Sequence, residues 1–122
     1  MNRKTRGESE DALTKAVIKF EREHLGRGPK DARTYFIDDM ILIRLSGLMT
    51  SAESMLAKDK KGQEIIKGTR RQLMEVSRPL IEQIVRDVLG LDMIGIHTDM
   101  STKTGERIIV LIVDQNLDEL FD

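Results

Sequence analysis

The hydrophobic positions of residues 60–90 follow the period of an α-helix. Apolar residues recur there at steps of three, four and seven, which places them along one stripe of a helix. The stripe comprises Ile66, Leu73, Val76, Leu80, Ile84 and Val88. Gly90 follows the stripe, where a left-handed residue usually ends a helix. Pro79 removes a backbone donor, so it either kinks this helix or begins a second one after Ser77. We expect a sheet to pack against the stripe.

Two further helices are predicted before this segment. Residues 9–25 carry apolar positions on one helical face, and Ser9 is a suitable N-cap. We expect residues 1–8, which are polar and basic, to be flexible. Thr50 and Glu53 match a capping box, in which a hydroxyl and a carboxylate bond each other's backbone amides. This predicts a short helix at 51–58. Residues 116–122 are expected to form a last acidic turn.

Four strands are predicted from β-branched, aromatic and aliphatic runs, at 34–37, 40–45, 92–98 and 106–114. Asp38 and Asp39 supply a tight turn between the first two. In the third strand, alternation places Met93, Gly95 and His97 on one side. The fourth strand is apolar on both faces at its centre, as is typical of an interior strand.

This order of elements predicts a single α+β domain over residues 9–122. Its pattern, α-β-β-α-(α)-β-β, corresponds to a two-layer sandwich with a four-stranded, mostly antiparallel sheet and helices on one face. The other sheet face then stays uncovered although it carries apolar residues. Self-association covers such a face most simply, so we expect a homodimer.

Composition excludes several classes of function. The chain has no cysteine, which excludes disulfides, thiol catalysis and cysteine-ligated metal centres. Its longest apolar run, 108–113, is far shorter than the roughly 20 residues that span a bilayer. No signal peptide is present at the start, so we expect a cytoplasmic protein that reaches membranes through a partner or a surface contact. Net charge is −1 and aromatic content is 3%, which argues against nucleic-acid binding.

No catalytic, cofactor-binding or metal-binding residue is predicted. His24 and His97 are the only histidines, and neither stands at a metal-ligand spacing. The enzyme hypothesis rests only on His97, Asp99 and Ser101, which are too close in sequence for usual triad geometry. We therefore expect a protein that is not an enzyme.

Seven residues are candidates for contact with a partner or an anion. Arg27 and Lys30 lie in a glycine-rich turn, which either exposes amides to an anion or is a plain turn. Arg44 interrupts an apolar strand and needs an acidic partner, from Asp38, Asp39 or a neighbouring strand, unless it faces a subunit boundary. The remaining candidates are Arg70, Arg71, Arg78 and His97.

The three helical arginines have two interpretations. They form a row that can meet phosphates, an acidic partner or anionic lipid. Alternatively, they form a solvated face with local pairs to Glu75, Glu82 or Glu64.

Three stretches resemble the MpsC-like family of small bacterial proteins. They are GRGPKDARTYFIDDMILIRLSGLMTSAE (26–53), RRQLMEVSRPLIEQIVRDVLG (70–90) and HTDM (97–100). The resemblance implies association with a sodium- or proton-coupled system that generates membrane potential and whose membrane components resemble bicarbonate-uptake machinery. It implies no catalytic residue.

Two hypotheses follow. In the first, the chain is an accessory or regulatory protein that binds membrane transporter subunits through its sheet edge or its arginine-bearing helix. In the second, it is a binding module for nucleic acid or a small anionic ligand, with Arg70, Arg71, Arg78 and the turn at 26–30 as contacts.

Overall fold

A computed structural model describes residues 5–121 as helices packed on one antiparallel sheet, which confirms the α+β class. The helices are α1 (Arg6–His24), α2 (Ser51–Leu56), α3 (Lys60–Val76), α4 (Arg78–Leu89) and α5 (Leu117–Leu120). The strands are β1 (Asp31–Ile37), β2 (Met40–Ser46), β3 (Met93–Met100) and β4 (Arg107–Val113). α5 lies within the predicted last turn, of which Asp122 is outside the described residues.

The sheet has the strand order β1-β2-β4-β3, and every neighbouring pair is antiparallel. Ile37 pairs with Met40, so the predicted turn at Asp38 and Asp39 is confirmed. Asp38 adopts φ of 54°, a left-handed conformation that aspartate tolerates better than most residues. β4 enters between β2 and β3, so it is an interior strand as predicted.

Helices cover only one face of the sheet. Alternate residues of β2 and β4, such as Ile43 and Leu111, are at most a few per cent exposed, whereas their neighbours are half-buried or exposed. The predicted alternation of β3 is wrong at its start because a bulge lies between Met93 and Gly95. The extra residue shifts the phase, so Met93 is buried and Ile94 is exposed.

The first helix begins three residues earlier than predicted. Thr5, not Ser9, is the N-cap, and it forms a capping box with Glu8. Ser9 is buried inside the helix. Of the segment predicted to be flexible, residues 1–4 lie outside the described part, and residues 6–8 are helical.

The long helical segment is split rather than kinked. α3 ends at Val76 and α4 begins at Arg78, with Pro79 in its first turn. The predicted contact face is wrong for Leu73, Val76 and Leu80, which are exposed. Ile66 is buried as predicted, and Ile84 and Val88 are half-buried against the core. The buried side chains of α3 and α4 are Ile66, Arg70, Met74, Ile81 and Val85.

Alanine at two glycines of α3 should shift stability in opposite directions. A Cβ on Gly62 would lie 1.7 Å from the Leu56 carbonyl oxygen, so Gly62→Ala forces α2 and α3 apart. We expect it to lower the free energy of unfolding by about 1–3 kcal/mol. A Cβ on Gly68 meets nothing within 4 Å, so Gly68→Ala should raise that free energy by about 0.5–1 kcal/mol. Urea unfolding measures both, and changes of the same sign would contradict the close helix contact.

Candidate functional site

The structure separates the seven predicted residues instead of gathering them into one site. Arg70 is buried between helices, and Arg71 is exposed on α3. Arg78 lies on α4, 3.8 Å from Glu82, which is the local pairing that a solvated face predicts. The four others divide between two surfaces: Arg44 and His97 lie on the uncovered sheet face, and Arg27 and Lys30 lie at one end of the sheet.

Arg70 is not solvated, so the interpretation of the helical arginines as a solvated face is wrong for this residue. It follows Ile66 by one helical turn and is only 5% exposed. Its guanidinium donates to both carboxylate oxygens of Glu53, at 2.6 and 3.0 Å, and to the Leu48 carbonyl at 3.3 Å. These contacts join α3 to α2 and to the loop after β2.

A second buried ion pair was missed from the sequence. Arg107, at the start of β4, lies 3.0 Å from Glu21 of α1, and the two residues are 1% and 0% exposed. Arg107 also donates to the Arg70 carbonyl at 3.4 Å. A signal for Glu21 was available, since it shares the helical face of Leu13 and Val17. The only sequence signal for Arg107 was its position at the start of a predicted apolar strand.

Burial dominates the electrostatics of this Glu21–Arg107 pair. It raises the pKa of Glu21 and lowers that of Arg107, in both cases against the attraction of the partner. Burial also raises the pKa of Glu53, but hydrogen bonds from Arg70 and Thr50 outweigh it and hold that pKa below its ordinary value. The two carboxylates therefore respond to acid in opposite ways.

The uncovered side of the sheet forms an apolar surface, which we call the open face. Strand pairing places Tyr35, Leu42 and Val110 in one row across β1, β2 and β4. The adjacent rows continue the same side of the sheet. The apolar members of the open face are Tyr35, Ile37, Met40, Leu42, Ile108, Val110 and Ile112.

Arg44 and His97 border the open face. Arg44 finds its partner in Glu106, directly before β4, with an Nε–Oε2 distance of 2.6 Å. His97 is exposed opposite Val110. Within residues 5–121, no hydrogen bond joins His97 to Asp99 or Ser101. Asp99 instead lies 3.3 Å from Lys67.

A second apolar surface lies on the helical side of the molecule. It consists of the part of the predicted stripe that is exposed or only half-buried, and we call it the outer stripe. Its members are Leu73, Val76, Leu80, Ile84 and Val88. Val76 is 73% exposed. The last three members line a groove of about 320 Å³ against Ala16 and Phe20 of α1.

A third surface, which we call the end groove, lies where three connections meet at one end of the sheet. These connections are 25–30 before β1, 47–50 after β2 and 101–106 between β3 and β4. With α2 as a wall, they line an open groove of about 1090 Å³. Arg27 and Lys30 line it together with Lys58 and Lys103, which were not predicted. No local pattern connects Lys58 or Lys103 to this turn, because only the topology brings them there.

Replacing Glu21, which is buried, or Glu53, which is half-buried, by glutamine should give opposite pH dependences. The folded pKa of Glu53 lies below its ordinary 4.5. Its contribution to stability is therefore present above that value and lost as the pH falls through the folded pKa. The folded pKa of Glu21 is raised, so the wild type gains stability as the pH falls through it.

From about pH 7 to about pH 3, the stability advantage of the wild type should therefore shrink against E53Q and grow against E21Q. Urea unfolding across this range measures both differences. Parallel trends in the two differences would contradict the assigned pKa directions.

Comparisons with known proteins agree on one family. Residues 5–115 match the family described as "Na+-translocating membrane potential-generating system (MpsC)". The chain is 32% identical to the uncharacterized protein YbcI of Bacillus subtilis, over 96% of this chain and 94% of that protein. It is 22% identical to the uncharacterized protein YrhF of the same organism, over 84% and 85% of the two chains. No solved structure matches.

Two further findings concern residues 5–121. No helix among them is long and apolar enough to cross a membrane. No group of three or more histidine, aspartate or glutamate side chains there is arranged to hold a metal ion. The family match spans most of the chain and agrees with the resemblance carried by its glycine-rich turn, its hydrophobic hairpins and the Arg78-Pro79 step in the helical segment. The chain belongs to the MpsC family.

Proposed function

We propose that this chain is a non-catalytic cytoplasmic accessory protein of a Na+-translocating, membrane-potential-generating system. It acts by protein–protein contact, as a homodimer, and binds a cytosolic helix of a membrane component. Family membership supports the association with such a system. The observation that carries the mode of action is the outer stripe, in which Leu73, Val76 and Leu80 are apolar and remain exposed in the described structure.

The outer stripe has the dimensions of a helix-binding groove. Leu80, Ile84 and Val88 recur at one-turn intervals along α4, and Phe20 of α1 forms the opposite wall. An amphipathic helix presents apolar side chains at the same intervals, so three of them can enter the groove together. Lys19, Glu23 and Asp87 also line the groove and give it charges of both signs. A polar rim around an apolar centre is the usual anatomy of an interface.

The arginine-bearing helix extends this surface. Leu73 and Val76 of α3 continue the stripe across the junction at Ser77, and Arg71 is exposed on the same helix. The partner we propose is an amphipathic helix that belongs to a membrane-embedded subunit.

The open face supports the homodimer. Arg33, Arg44, Ile108 and Asp99 form one row from β1 to β3, with an arginine at one end and an aspartate at the other. In the proposed dimer, a two-fold axis lies between the two open faces and runs parallel to the strands. It places β1 of one copy over β3 of the other, and each row of residues then lies over the same row of the partner. Arg33 then lies over the partner's row end at Asp99, whose Oδ1 faces Lys67 of its own chain and whose Oδ2 can accept from Arg33. The row ends are therefore complementary in charge.

A charge in the open face should dissociate the dimer. Leu42 lies at the centre of that face, and in a symmetric interface Leu42→Lys buries two charges at once. We expect the wild type to sediment at twice the chain mass, and L42K to raise the dimer dissociation constant roughly a hundredfold or more. Val76→Lys, on the helical side, is the matched control and should remain dimeric. A monomeric wild type, or equal effects of the two variants, would contradict this interface.

A charge in the outer stripe should remove the membrane partner. A photo-crosslinking residue at Leu73 should capture a multi-pass cation-translocating subunit in membranes of the source organism, identified by mass spectrometry. Adding Ile84→Glu should reduce that crosslink at least about tenfold, because it leaves a carboxylate in an apolar groove.

The same probe with Leu42→Lys should report whether capture needs the dimer, and it controls for an added charge elsewhere. Capture of only a second copy of this chain would assign the outer stripe to self-association. Capture that I84E leaves unchanged would mean that the groove is not the contact.

A further inference from the structure

The end groove has the charge of an anion-binding site. Four cations, Arg27, Lys30, Lys58 and Lys103, contribute to its lining, and no residue that lines it is acidic. Elsewhere on the described surface, cations such as Arg86 and Lys15 lie within 3.0 Å of a carboxylate. Within residues 5–121, none of the four groove cations forms an ion pair. Their charge is therefore available to a ligand.

The groove positions two of these cations through its own backbone. Arg27 donates from Nη1 to the Met49 carbonyl at 3.0 Å, which fixes the guanidinium beside the groove. Gly47 has φ of 71°, and a Cβ there would come within 2.5 Å of Lys30 Cγ. The Lys30 stem thus lies across a site that only glycine leaves open, and its amide is bonded to the Ser46 carbonyl at 2.8 Å.

Hydroxyl groups complete the polar lining. Ser51 and Ser54 come from α2, and Thr102 and Thr104 come from the β3–β4 connection. Phosphate oxygens accept from lysine, arginine and hydroxyl donors together, and several phosphates are needed to match four cations. The volume of about 1090 Å³ is that of a site for a small molecule.

We propose that the end groove binds a small molecule that carries several phosphate groups, such as a nucleoside polyphosphate. No aromatic residue lines the groove, so it lacks the stacking platform that single-stranded nucleic acid requires. Met49 and Met55 provide the apolar area on which the remainder of the ligand can lie. This site is separate from the open face and the outer stripe, and it does not depend on the function proposed above.

Calorimetric titration of the full chain with inorganic triphosphate, and separately with ATP, tests the proposal. We expect one site per chain whose affinity falls as salt is raised. Lys58→Glu/Lys103→Glu should weaken binding roughly a hundredfold, because each lysine supplies a charge-assisted hydrogen bond. Lys15→Glu/Arg86→Glu changes the net charge equally on exposed positions of α1 and α4 and should bind as the wild type does. Tighter binding of ATP than of triphosphate would assign a contact to the nucleoside.

Three results would overturn the proposal. The first is no binding of either ligand at millimolar concentration. The second is equal weakening in both double variants, which indicates nonspecific charge attraction. The third is preference for a single-stranded oligonucleotide over both ligands. All the residues substituted in these double variants are exposed, so the variants should fold, and circular dichroism checks this. If the charge-reversal variant of the groove does not fold, Lys58→Gln/Lys103→Gln replaces it. This variant removes the two charges without reversing them, so its effect on binding should be smaller.

Discussion

Four charged side chains in the protein interior determine how the layers of this fold meet. Glu21 of α1 pairs with Arg107 of β4, which contacts the backbone of Arg70, and Arg70 in turn pairs with Glu53 of α2. Burial works against the charged form of both Glu21 and Arg107, so the first pair is not a major source of stability. Removing either Glu21 or Arg107, however, leaves the charge of the other buried and uncompensated. The network therefore favours one arrangement of α1, α2, α3 and β4 over alternatives that the apolar contacts alone would allow.

The parts of the fold that sequence patterns predicted are those fixed by local interactions. The turn at Asp38 and Asp39 and the capping box at Thr50 each involve residues within a few positions of one another. The start of α1 was also within reach, because Thr5 and Glu8 form the same capping motif, but Ser9 was an equally good cap by composition. The bulge at Ile94 could not be predicted from local sequence, because it depends on how β3 pairs with β4.

Periodicity identified the long helical segment but not the side that faces the core. The helical segment carries apolar residues on two sides, and the predicted stripe includes Leu73, Val76 and Leu80, which the fold leaves exposed. The core-facing stripe contains Arg70, and an arginine in a helical sequence is usually expected at the surface. It is buried here because the fold brings Glu53 and the Leu48 carbonyl to its guanidinium. The same reason explains the end groove: Arg27 and Lys30 were visible as a local turn, whereas Lys58 and Lys103 joined them only through strand order. Sequence patterns report local geometry, and these sites are built from distant segments.

The three surfaces lie on different sides of the molecule, and this arrangement has a consequence for the proposed assembly. If two open faces pack together, the helical layers lie on the outside and the two outer stripes face away from each other. In such a dimer, one short partner helix cannot contact both outer stripes at once. The dimer can instead hold two membrane subunits, and binding of the first raises the effective concentration of the second site near the membrane. The end grooves remain accessible in that dimer, and each has α2 as a wall, anchored by Glu53 to Arg70. A ligand that moves α2 would therefore act on the buried network, and through α3 on the stripe that we propose as the docking surface.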